Sequence, residues 1–171
     1  MKRMVLVTAL LAAVLVAALP VFAQTGGGRH QFDLFGGDGY KGSGSTLRFD
    51  IDGMALKVSG TASGIPNGGG GYVIDARENL AFSGNQRLII RVSGVRGTDT
   101  FDAFKLLKLE LNNAAQTTIT DGMKNRNGPT FINARNGEAV FDISRLRNIR
   151  KINLVFFNCT VEAVKIEVFY E

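Results

Sequence analysis

The sequence predicts an all-β fold, an antiparallel β-sandwich, and three observations carry that prediction. Residues 151–157 and 161–171 alternate. Ile152, Leu154 and Phe156 share one face, and Val164, Ile166, Val168 and Tyr170 share another, with Lys165, Glu167 and Glu171 opposite; this is the two-residue period of a strand. Residues 47–58 place Asp52-Gly53 between two alternating apolar runs, the signature of a tight hairpin. Further along, short β-rich runs are separated by Asp121-Gly122, Asn127-Gly128-Pro129 and Asn136-Gly137, a rhythm that suits a sandwich or barrel.

The chain opens with Lys2 and Arg3, then an apolar run over 5–19, Pro20 and Val21-Phe22-Ala23. Positive start, short apolar core and a small residue at the end predict a signal peptide over 1–23 and a secreted or periplasmic protein. The run is shorter than the roughly 20 residues of a spanning helix, so no membrane span is expected after cleavage. Removal of 23 of the 171 residues leaves 148, a single-domain length. The formal charge of +5 becomes 5 − 2 = +3, because the leader carries two bases and no acid. That surplus lies along the chain with no Lys/Arg block, so nucleic acid is not an expected partner. Cys159 is the sole cysteine, which rules out an internal disulfide and predicts a buried thiol at a strand end.

Residues 24–45 form a glycine-rich N-terminal segment expected to be mainly loop, with one short strand near 32–35. The sandwich domain is placed at 46–171. In the 47–58 hairpin the expected pairs are Ile51 with Met54, Phe49 with Leu56 and Leu47 with Val58, all facing inward. Glycines 68–71 lead into a strand-like Tyr72-Val73-Ile74-Asp75, with neither the Lys-Ser/Thr nor the following helix of a phosphate loop. Residues 87–92 predict a strand with Leu88, Ile90 and Val92 inside and Arg87, Ile89 and Arg91 outside. Leu107, Leu109 and Leu111 predict another, with Lys108 and Glu110 outside, ended by Asn112-Asn113. Further runs at 117–120, 130–133 and 138–141 read as strands. Residues 144–150 read as one helical turn capped by Ser144.

Gly70 to Ile74, Ser83-Gly84, the run Arg87-Leu88-Ile89-Ile90-Arg91-Val92-Ser93-Gly94, Phe141-Asp142-Ile143-Ser144 and the run from Ile149 to Phe156 follow one another in an order that resembles the galactose-binding-domain-like jelly rolls. These include carbohydrate-binding modules and the complex I intermediate-associated type of domain. The resemblance spans roughly 47–171. It implies a jelly-roll-like sandwich and a family of diverse ligands, because fold alone does not set function.

The residues point away from catalysis. His30 is the only histidine and lies in the glycine-rich segment, so neither a Ser-His-Asp array nor a zinc site has its parts. Asp99 and Asp102 are the candidate carboxylate pair, in a polar loop. Calcium needs several oxygen ligands. Asp33, Asp38, Asp50 and Glu167 would meet if the first and last strands are neighbours, and Asp33 and Glu167 are the candidate metal ligands on that basis. Related jelly rolls often hold a structural calcium; no other cofactor is expected.

The strand over 151–157 has an unusual second face: Asn153, Val155 and Phe157. With Arg91, Lys108 and Glu110 from the outward rows of the other strands, these residues form the candidate ligand-binding set: Arg91, Lys108, Glu110, Asn153 and Phe157. The expected function is an exported non-catalytic binding module for carbohydrate or cell-envelope glycan. The alternative is an envelope structural or assembly protein that docks a protein partner on the same face. The absence of Trp removes one common sugar-stacking ring.

Overall fold

The computed structural model describes residues 28–100, 107–116 and 136–171. Among them are eleven strands and no helix: β1 (His30–Phe32), β2 (Asp38–Lys41), β3 (Arg48–Asp52), β4 (Ala55–Ala62), β5 (Gly70–Asp75), β6 (Arg87–Ser93), β7 (Leu107–Leu111), β8 (Ala114–Ala115), β9 (Gly137–Asp142), β10 (Lys151–Phe156) and β11 (Cys159–Tyr170). The expected leader at 1–23 and the runs at 117–120 and 130–133 lie outside the described residues.

Two antiparallel sheets result. One has the order β3-β4-β11-β6-β9, with β1 also on β11; the other has the order β2-β5-β10-β7-β8. Apart from the hairpins β3–β4 and β7–β8, successive strands alternate between sheets, which is the winding of a jelly roll. The reason is burial: nearly every strand is apolar on one side only, so each must face the other sheet. Leu88, Ile90, Ile152, Leu154, Phe156, Ile166 and Val168 are all at or below 1 % exposure and share one core.

Several expectations are corrected. The hairpin register is shifted by two: Ile51 pairs with Leu56 and Phe49 with Val58. Gly53 and Met54 form the turn, with Gly53 at φ 63, which suits a turn needing positive φ at its first central residue. A shift of two keeps each residue's face, so only Met54 is lost from the core, at 39 % exposure. Residues 30–41 are not simply loop, since β1 joins one sheet and β2 the other. At 144–150 there is a turn without helix. Asp142 makes the local cap, its Oδ1 accepting the Ser144 amide at 2.9 Å.

The run at 107–111 is strand because Asn112 (φ 50) and Asn113 (φ 67) close a two-residue hairpin to β8, the double left-handed turn that Asn accepts. Ile89 points outward yet is 1 % exposed. It lies between Phe169 and Val140 in register, and the Arg29 and Arg91 guanidinium groups stack over the Phe169 ring at 5.1 and 4.6 Å. Flat cations thus cover an apolar patch that the strand pattern alone assigns to solvent. Among the described residues no helix is long and apolar enough to cross a membrane.

Candidate functional site

The site is built on the outer face of the five-stranded sheet. Because Ile152, Leu154 and Phe156 turn inward, Asn153 and Val155 must turn outward. Register then aligns the neighbours: Asn153 opposite Glu110 and Val73, Val155 opposite Lys108 and Gly71, and Tyr40 opposite Gly71. A side chain at Gly71 would come within 2.7 Å of the Tyr40 hydroxyl oxygen. The missing Cβ therefore lets the Tyr40 ring lie across β5 toward β10.

The polar groups form one connected row. The Tyr40 hydroxyl lies 3.0 Å from Asn153 Nδ2 and 3.2 Å from Asn153 Oδ1. Asn153 Nδ2 also donates to Glu110 Oε2 at 3.1 Å. Glu110 Oε1 in turn holds Lys108 Nζ at 2.5 Å. Tyr40 is 41 % exposed, while the Lys108 and Glu110 side chains are 20 % and 19 % exposed. The half-buried Val73, Val155 and Phe157 flank the row, and a side chain at Gly69 would meet the Phe157 ring at 3.3 Å. The row is thus a pre-organised, charge-balanced set of donors and acceptors that ends in one open ring, Tyr40.

Of the five expected ligand-binding residues, the fold brings Lys108, Glu110, Asn153 and Phe157 together and leaves Arg91 apart. Arg91 is on β6, in the other sheet, and faces the opposite side of the molecule. There its guanidinium holds Glu138 at 2.8 Å and approaches Glu167 at 3.9 Å. The expectation assumed that β6 neighbours β7 and β10, but the alternating winding sends β6 across the core. Tyr40 was missed because its glycine-rich surroundings read as loop. The available signal was the isolated Asp38-Gly39-Tyr40-Lys41 run, with an aromatic flanked by polar residues and no apolar partner.

The metal candidates are also separated. The first and last strands do pair, Phe32 opposite Val168. Asp33 Oδ1, however, accepts the Phe35 amide at 2.9 Å, holding the turn out of β1. Glu167 is surrounded by Arg91, Lys165 at 3.6 Å and Gln31. Asp38 is in the other sheet and Asp50 is opposite Lys57. Among the described residues no group of three His, Cys, Asp or Glu is placed to hold a metal.

Other polar candidates have structural partners. The His30 ring stacks on Tyr170 with centroids 5.4 Å apart. Asp99 accepts two backbone amides, from Arg96 at 2.6 Å and Glu162 at 2.8 Å, tying a loop to β11; Asp102 lies outside the described residues. Cys159 is buried at the start of β11, and burial pushes its thiol up to about 11. Comparison with known proteins finds no matching family model, no matching curated protein and no matching solved structure.

Proposed function

We propose that the chain is an exported, non-catalytic binding module and that the outer face of its five-stranded sheet takes a neutral glycan of the cell envelope. The observation that carries this reading is the connected row Tyr40–Asn153–Glu110–Lys108, which begins at the exposed Tyr40 ring. Sugars present an apolar face to an aromatic ring and hydroxyls to amides and carboxylates. The paired Lys108 and Glu110 cancel in charge, which favours an uncharged ligand over an acidic or basic one. From β2 to β7 is three strand spacings, about 14 Å, room for a short run of sugar rings. The resemblance to galactose-binding-domain-like jelly rolls is in keeping with this reading.

Glycan-array screening followed by calorimetry tests it, on the wild type, Tyr40→Ala and Asn153→Ala. Both variants are expected to melt like the wild type and to bind at least tenfold more weakly, about 1.4 kcal/mol. Variants that bind as well as the wild type, or a wild type that binds no envelope glycan, refute the site.

The second reading, an envelope assembly protein, is favoured by one feature: the half-buried apolar strip Val73, Val155 and Phe157. It predicts that Phe157→Ala leaves folding nearly unchanged and releases a protein partner. Export itself predicts Gln24 as the first residue of the mature chain, readable by mass spectrometry; an intact Met1 argues against it.

A further inference from the structure

Two connectors meet at one end of the sandwich, residues 76–86 and 143–150. They are laced together: the Ala76 amide donates to Arg150 O at 2.9 Å, the Leu80 amide to Ile149 O at 2.7 Å and the Ile143 amide to Gln86 O at 2.9 Å. Ser83 Oγ both donates to Ile149 O and accepts its amide, each at 3.0 Å. This lacing brings Arg77 to the same end as Arg145, Arg147 and Arg150, nearly seventy residues later in the chain. All four are exposed. Among the described residues, no ion pair engages any of the four, whereas Arg29, Arg87, Arg91 and Arg96 each have a carboxylate partner.

The charge is local. The two connectors hold four arginines against Glu78 alone, 4 − 1 = +3. The whole chain beyond residue 23 also carries 5 − 2 = +3, so the remainder is balanced. The other charges at this end are spoken for: Lys151 faces Asp75 at 3.6 Å and Arg87 faces Glu171 at 3.1 Å. Asp142, beside Arg145, accepts the Ser144 amide, and that hydrogen bonding to Ser144, before the Arg145 charge, holds its carboxyl below the usual range.

The N-terminal segment joins the fold at this same end. His30 pairs with Tyr170, and the Glu171 carbonyl accepts the Gln86 and Arg87 amides at 2.9 and 3.0 Å. β1 therefore starts at the end that carries the unpaired arginines.

We infer that this end docks on a bilayer surface bearing anionic phosphate headgroups, through Arg77, Arg145, Arg147 and Arg150. Guanidinium forks match phosphate oxygens, and each base near an anionic surface adds about fivefold in affinity at physiological salt. Such docking leaves the glycan face free, because Tyr40 and Asn153 are on the side of a sheet and the arginines are at its end. It does not depend on the glycan reading.

The test is co-sedimentation of the chain as recovered from cells, with vesicles of equal parts phosphatidylglycerol and phosphatidylcholine or of phosphatidylcholine alone. The expected result is a preference for the anionic vesicles that fades as salt approaches about 1 M, where the Debye length is about 3 Å. Arg145→Gln, Arg147→Gln and Arg150→Gln combined should weaken binding on the order of a hundredfold. Arg48→Gln, Lys57→Gln and Lys165→Gln combined remove equal charge from the six-stranded sheet and should cost little.

If the first triple variant fails to fold, Arg147→Gln alone should cost about fivefold. Equal binding to both vesicles, equal losses in the two triple variants, or capture by soluble polyphosphate as tight as by vesicles overturns the proposal.

Discussion

Single side chains decide local geometry here through hydrogen bonds that no pattern of polarity announces. Asn112 is the main case. It adopts φ 50, its Oδ1 accepts the Arg150 and Lys151 amides at 2.9 and 3.1 Å, and its Nδ2 donates to Asn148 O at 2.7 Å. One residue thus turns β7 into β8 and fastens the entry to β10. Asn112→Ala should cost about 2–4 kcal/mol, combining left-handed strain with lost bonds. Asn112→Gly relieves the strain alone and should recover about 1 kcal/mol of that. Urea titration reads both, and equal losses in the two variants refute the strain argument.

Cys159 offers a second test. Its thiol is pushed up to about 11 by burial, from an ordinary 9.0. A raised pKa means that the folded state holds the proton longer, so stability is full below about 9 and declines as pH rises through about 11. The native thiol should resist alkylation at about pH 8 while the urea-unfolded chain reacts readily. Fast native labelling contradicts the burial.

At the scale of elements, β1 is the informative strand. It is three residues long and pairs only with the end of β11, too little to hold by backbone bonds alone. Arg29, just before it, reaches across the sheet to Glu138 on β9 with a two-pronged contact of 2.9 and 2.7 Å, stacking over Phe169 on the way. The Arg29 hydrogen bond, ahead of that from Arg91, holds the Glu138 carboxyl below its ordinary 4.5. A lowered pKa contributes stability above that ordinary value, and the contribution is lost as pH falls through the folded one.

Both side chains of this pair are about one-third exposed, so solvent screening keeps its worth near 1 kcal/mol. Arg29→Ala should therefore lower stability by about that amount near neutral pH, and by less as pH falls below the ordinary 4.5 of the Glu138 carboxyl. It should also speed amide exchange in residues 30–32 more than elsewhere. Uniform exchange across the sheet excludes the latch.

For the whole molecule, the segment at 28–45 is part of the sandwich. It supplies β1 to one sheet and β2 to the other, and its Phe32 and Leu34 enter the common core. The buried Tyr72 hydroxyl donates to Leu34 O at 2.8 Å, so losing the segment also orphans a buried polar group. A chain starting at residue 46 should lose its cooperative thermal transition, since it lacks a strand in each sheet and the two core side chains Phe32 and Leu34, at about 2–5 kcal/mol each. A cooperative melt within a few degrees of the full chain would show that the segment is dispensable.

The sequence by itself determined the fold class and most of the inward-facing residues, because a period of two is a local property and burial acts on each strand separately. It marks Asn153 and Phe157 as out of place on a solvent face and sets Lys108 and Glu110 on an outward row, and these four share the outer face of the five-stranded sheet. Beyond the β3–β4 hairpin, tertiary structure decided which strands are neighbours. Strand order depends on contacts far apart in sequence, so Arg91 was assigned to a sheet it does not join and Tyr40 was left in a loop. The same holds for Ile89 and the arginine end: Ile89 is flanked by Phe169 and Val140 of the neighbouring strands, with Arg29 and Arg91 over the Phe169 ring, and Arg77 meets Arg145, Arg147 and Arg150 only through the laced connectors. Local chemistry sets which way a side chain points; the folded topology sets what it meets there.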